Sequence, residues 1–113
     1  MHSDLHHLTQ LVTAFRDARD WSQFHNTKDL AVAISIEAAE LNELFLWKSV
    51  EQCETMPKER IKEELADVFI YSLLLAHKHN FDIKEIITEK MKAAELKYPV
   101  EKAKGNSKKY TEL

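Results

Sequence analysis

Two acidic pairs stand inside apolar stretches of this chain, Glu37-Ala-Ala-Glu40 and Glu64-Leu-Ala-Asp67, and any fold the sequence adopts has to accommodate them. If both stretches are helical, the i, i+3 spacing puts the two carboxylates of each pair on one face, with Cβ atoms about 5 to 6 Å apart. Glu37 then shares its face with Leu30, Ile34, Leu41 and Leu44, the side that the hydrophobic pattern turns away from water. Asp67 lies in the run Leu65 to Ala76, which is apolar on nearly every side of a helix. Carboxylates gathered in such a place resist ionising together, because desolvation and mutual repulsion both raise their pKa values. A hard divalent cation with oxygen ligands relieves both costs. The expected fold therefore brings the two pairs together, in the core, around a cation.

Helices are what the rest of the chain favours. It has one glycine, two prolines, no sustained period-2 alternation and no internal repeat, so the expectation is all-α, a bundle of four to five helices. Ser3 or Asp4 can cap a first helix with the apolar stripe Leu5, Leu8, Val12 and Phe15, fading by Asp20. An aromatic-rich connector, Asp20 to Asn26, leads to a second helix from about Lys28 to Trp47 with Thr27 as its N-cap. Ser49-Val-Glu-Gln52 reads as a capping box for a short turn, and Pro57 opens a third helix that runs to His79 and stops at Asn80. Asp82-Ile-Lys-Glu85 reads as a second capping box, for a fourth helix that must finish near Lys97 because Tyr98 precedes Pro99. Gly105 to Leu113 is then a polar tail, mobile unless something holds it.

At 113 residues this is one small domain with a thin core. The third helix, with Phe69, Ile70, Leu73, Leu74 and Leu75 pointing in several directions, has more apolar circumference than one small bundle can cover, and a second copy of the chain is the expected cover. Sixteen basic and 19 acidic residues give a net charge of -3, and no basic stripe runs along any expected helix, which argues against duplex nucleic acid as a partner. The single Cys53 fits a reducing compartment. No apolar run approaches the length of a membrane span and the N-terminus lacks the pattern of a signal peptide, so the expectation is a soluble, cytoplasmic protein.

Four acids around Mg²⁺, with Mn²⁺ as a substitute, are suited to holding the oxygens of a polyphosphate and activating a water beside them. Trp47 follows Glu37, Glu40 and Leu44 on one expected helical stripe, about 10 Å from Glu40 at 1.5 Å per residue. A nucleotide spans that distance, so the indole is a candidate platform for a base, although a tryptophan at a helix end can equally be a core plug. Trp21, Phe24 and His25 in the connector are further candidates for a base pocket. Lys48, Lys90 and Lys97, with Lys108 and Lys109 in the tail, are the cations that could meet phosphate, though lysines on a helix are by default solvated surface. His2 and His6 have an i, i+4 metal-ligand spacing, but on a fraying first turn.

These residues resemble the MazG-like all-α nucleoside triphosphate pyrophosphohydrolases, whose mark is Glu-x-x-Glu, a spacer and Glu-x-x-Asp, here Glu37, Glu40, Glu64 and Asp67. Longer matches surround it, from Arg19 to His25, from Glu40 to Ser49 and from Glu63 to Tyr71. Tyr98-Pro99-Val100 and Lys109-Tyr110-Thr111 extend the resemblance over roughly residues 10 to 112. The resemblance implies hydrolysis of a deoxynucleoside triphosphate between the α and β phosphates, with Mg²⁺ held by the four acids, in a homotetramer whose subunits share the sites. By position, Trp21, His25 and Trp47 would surround the base, while Lys90 and Tyr98 would face phosphate or sugar. Where many relatives place a nucleotide-contacting Asn this chain has Ala94, and Lys97 stands where Arg is common. Glu40 is the candidate base. One rival is a non-catalytic helical module binding nucleotide or protein. The other, a redox di-metal bundle, typically uses Glu-x-x-His ligands, and no histidine here has Glu three residues before it.

Overall fold

The computed structural model describes residues 3–113, so the His2 half of the histidine pair lies outside the described residues. Every regular element among them is helical, with six α-helices and two 3₁₀ turns. The chain forms two compact units, one reaching to Asn80 and the other Phe81–Leu113.

In the first unit, α1 (Asp4–Ala18) starts where Ser3 Oγ accepts the His6 N–H at 3.2 Å. A 3₁₀ turn, Ser22–Phe24, occupies the connector. The next helix, α2 (Thr27–Glu43), is capped by Asn26 rather than Thr27. The Asn26 amide accepts from the Asp29 N–H at 2.8 Å through its oxygen while its nitrogen donates to the Asp29 carboxylate at 2.8 Å. Thr27 Oγ1 is instead hydrogen-bonded to His79 Nε2 at 3.0 Å, tying the start of α2 to the end of α4 (Lys58–Lys78).

The far end of α2 departs from the expected course. Regular α geometry ends at Glu43, and bonds of the i→i+3 kind tighten the chain, Phe45 N–H to the Asn42 carbonyl and Lys48 N–H to the Phe45 carbonyl among them. Trp47 sits between at φ 63°, a left-handed backbone that cannot propagate a right-handed helix. It is therefore off the stripe of Glu37 and Glu40, and at 93% exposure it plugs no core within this chain. The short α3 (Val50–Glu54) carries both halves of its capping box, Ser49 Oγ accepting from the Gln52 N–H at 3.1 Å and Gln52 Oε1 from the Ser49 N–H at 2.8 Å. Pro57 is the N-cap of α4, and Asn80, at φ 56°, follows its C-cap His79.

The unit is organised by the packing of α2 along α4, with α1 also against α4. Among the described residues Leu30, Leu44, Met56, Leu73, Leu74 and Ala76 are buried, a core as thin as the chain length implies. Leu65, Phe69 and Ile70 of α4 stay exposed, as its all-round apolar pattern requires of a small unit. The stripe of α1 is also left open: Leu5, Leu8 and Phe15 are exposed and no residue of that helix is fully buried.

The second unit holds α5 (Ile83–Lys97) and a four-residue α6 (Val100–Ala103), the latter not anticipated from sequence. Of the second capping box it forms the half in which Asp82 Oδ1 accepts the Glu85 N–H at 3.0 Å. The expected tail is ordered: Gly105, at φ 83°, turns the chain, and a 3₁₀ turn at Tyr110–Glu112 sets the Tyr110 ring edge-on to Tyr98, centroids 6.1 Å apart. Among the described residues no helix is long and apolar enough to cross a membrane.

Candidate metal centre

The packing of α2 on α4 brings the two acidic pairs face to face. One carboxylate oxygen from each of Glu37, Glu40, Glu64 and Asp67 lies within 4.8 Å of the other three. This is the convergence expected from the spacing, with one difference in depth: Glu37, Glu64 and Asp67 are half-buried and Glu40 is exposed, so the cluster lines a rim and not the interior. Glu37 stands on the side of α2 that leads inward to Leu30 and Leu44, whereas Glu40 is turned toward solvent.

Such crowding shows in the electrostatics. Glu37 is pushed up to about 7, by burial first and then by interaction with Glu40 and the charges of Asp67 and Glu64. Glu64 is raised too, by burial, then by Glu40, Asp67 and Glu63. Two oxygens, Glu37 Oε2 and Glu64 Oε2, are shielded from solvent and have no hydrogen-bond partner. Four carboxylates, two with orphaned oxygens, fit a hard divalent cation such as Mg²⁺, which would supply the ligand those oxygens lack.

Tyr71 belongs to this environment although it lies outside the two acidic pairs. Its phenol is raised above the ordinary value by burial and by the charges of Glu37, Asp67 and Glu40, which keeps it protonated beside the acids. The sequence held a signal for it, since Tyr71 is one helical turn beyond Asp67 on α4. Arg16 on α1 is a second residue that the sequence pattern did not single out. His25, half-buried at the end of the 3₁₀ turn, has its Nδ1 shielded and unpartnered, and is lowered by burial and by the Arg16 charge, so the ring is held neutral.

The remaining candidates fall in three other places. Trp21 meets Phe15 edge-on, centroids 5.8 Å apart, and the Arg19 guanidinium lies 3.6 Å over the Phe15 ring, so Trp21 is held in an aromatic and cationic stack. Trp47 and Lys48 stand on the exposed turn after α2. Lys90 and Tyr98 belong to the second unit, where they line a cavity of about 240 Å³ with Ala93, Ala94, Lys97 and Tyr110.

Comparison with known proteins gives this arrangement a family. Residues 32–113 match the model of the MazG-like family. The chain is 39% identical to mouse (Mus musculus) dCTP pyrophosphatase 1 over 114 aligned positions, covering 96% of this chain and 67% of that protein. It is 38% identical to the human (Homo sapiens) dCTP pyrophosphatase 1 over the same shares. The crystal structure of a pyrophosphatase from Archaeoglobus fulgidus DSM 4304 superposes with a TM-score of 0.82 at 39% identity, over 88% of this chain and 95% of that one. The family match spans both acidic pairs, and with the all-helical fold and these relatives it establishes that the chain belongs to the MazG-like family.

Proposed function

We propose that this protein is a Mg²⁺-dependent nucleoside triphosphate pyrophosphohydrolase that cleaves deoxynucleoside triphosphates, dCTP-like ones foremost, to the monophosphate and pyrophosphate. The observation that carries the reading is the four-carboxylate cluster with two orphaned oxygens, whose chemistry calls for a cation and, through it, a polyphosphate. The relatives named as dCTP pyrophosphatases support cytosine as the base, with dATP or a modified base as alternatives within the same class.

Glu37, Glu64 and Asp67, the three half-buried acids, would hold the ion. Held there, Mg²⁺, or Mn²⁺ in its place, would supply positive charge to offset that of the phosphate oxygens. Glu40, the exposed acid of the four, would take the proton of a water as the water oxygen bonds to the α phosphorus and the bond from that phosphorus to the oxygen it shares with the β phosphate breaks. Tyr71 keeps its proton and offers the cluster a neutral donor. Trp21, His25 and Trp47 would receive the base and Lys48, Lys90 and Tyr98 the sugar and phosphates. A neutral His25 suits that role, having both a ring donor and a ring acceptor.

The exposed Leu65, Phe69 and Ile70 of α4 and the open stripe of α1 support a homo-oligomer, a tetramer in this proposal, in which paired copies cover these faces. The setting that suits the reaction is a cytoplasmic nucleotide pool, cleared of unwanted triphosphates. The test is a panel of canonical and modified deoxynucleoside triphosphates assayed for pyrophosphate in Mg²⁺. Release of pyrophosphate from dCTP-like substrates is expected; binding without release would replace the reading with a non-catalytic nucleotide module.

A further inference from the structure

The cavity of the second unit is finished by the C-terminal segment. Its walls come from the last turns of α5, with Lys90, Ala93, Ala94, Lys97 and Tyr98, and Tyr110 closes it from the far end of the sequence. The chain is folded back to that point by particular bonds: Asn106 Nδ2 donates to the Lys102 carbonyl at 3.1 Å, and the Lys108 N–H donates to Asn106 Oδ1 at 3.0 Å. Gly105 supplies the left-handed φ of 83° that starts the reversal. Tyr110 then touches two groups of the cavity at once, with the Lys97 ammonium 4.7 Å over its ring and the Tyr98 ring edge-on at 6.1 Å.

Tyr110 is 47% exposed, so its ring contributes little by burial, and its two contacts order a lysine and a tyrosine that already line a cavity. A lysine otherwise moves freely on a long stem and loses that freedom on meeting an anion. A space of about 240 Å³ lined by two lysines and two tyrosines, Lys90, Lys97, Tyr98 and Tyr110, with Ala93 and Ala94 leaving it room, suits phosphate oxygens. We propose that the C-terminal segment Lys108–Leu113 is a clasp for this cavity, in which Tyr110 is a positioning residue that orders Lys97 and Tyr98 for an anionic phosphate group. The inference rests on the nucleotide reading for its natural ligand, but inorganic pyrophosphate serves as the probe.

The experiment compares the full-length parent with Tyr110→Ala and Tyr110→Phe, in steady-state turnover of the best substrate and in calorimetric binding of inorganic pyrophosphate. Loss of the cation–π contact in Tyr110→Ala should raise KM and the pyrophosphate Kd roughly 3- to 30-fold, with kcat within about twofold of the parent. Tyr110→Phe, which keeps the ring, should restore both. Unchanged KM and Kd in Tyr110→Ala would overturn the clasp, as would a Phe variant as impaired as the Ala variant. A fall in kcat and melting temperature without a change in pyrophosphate affinity would also overturn it, marking the ring as a structural plug. If the parent releases no pyrophosphate from any nucleotide, the catalytic reading fails by itself, and the ratio of pyrophosphate Kd values still decides the clasp.

Discussion

Glu37 carries the conflict between folding and function most sharply, because its carboxyl is pushed up to about 7 by burial and by its acidic neighbours. An acid whose folded pKa lies above its unfolded value binds more protons in the native state, so folding stability falls as pH rises between the ordinary 4.5 and about 7. The metal-free parent should therefore lose more stability than Glu37→Gln between pH 5 and pH 8, which differential melting in chelator would measure. Equal slopes for parent and variant would mean that the carboxyl is not strained. Mg²⁺ competes with the same proton, so its binding should weaken below about pH 7. Glu40→Gln, Glu64→Gln and Asp67→Asn should each remove most activity while leaving the metal-free protein at least as stable, since each amide keeps shape and removes repulsion. Added Mg²⁺ should raise the melting temperature of the parent and raise that of the variants less. Variants that melt well below the metal-free parent would make the acids structural.

Among the elements, the turn after α2 is where sequence pattern and structure part. The acid pairs, the ends of α1, α4 and α5 and the cap at Ser49 follow from local spacing and capping chemistry, which act within a turn or two of the residue concerned. Trp47 does not: helix propensity and the apolar stripe both carry α2 through it, and a left-handed φ of 63° is dictated by the tightening at Phe45 and Lys48, not by the tryptophan itself. The packing of Tyr110 is likewise not legible: the sequence shows it in a polar tail and in a stretch that resembles the family, but its partners Lys97 and Tyr98 lie across a chain reversal that no periodicity encodes. A bulky residue held at positive φ costs about 1 to 2 kcal/mol, and such strain is kept where it serves a site. Trp47→Gly should therefore leave the melting temperature unchanged or higher while kcat/KM falls roughly 5- to 150-fold, the value of one stacked base. A melting temperature well below the parent would show the indole to be a packing element, contributed to a neighbouring copy of the chain. In the core of the same unit, Leu30→Ala at a site only 2% exposed should cost about 2 to 5 kcal/mol in denaturant unfolding.

At the scale of the whole molecule, the six buried residues among those described stand beside much exposed apolar surface on α1 and α4, which the proposed homo-oligomer would cover. Light scattering at micromolar concentration should accordingly give a multiple of the 13.2 kDa chain, a tetramer in this account, and a clean monomer would contradict it. On the proposed function, the cluster would direct water to the phosphorus next to the sugar. Turnover of the preferred deoxynucleoside triphosphate in Mg²⁺ with water carrying heavy oxygen, followed by mass spectrometry of both products, tests it most directly. The label is predicted in the nucleoside monophosphate, with unlabelled pyrophosphate released in equal amount. Label in the pyrophosphate, or sequential release of orthophosphate, would contradict it.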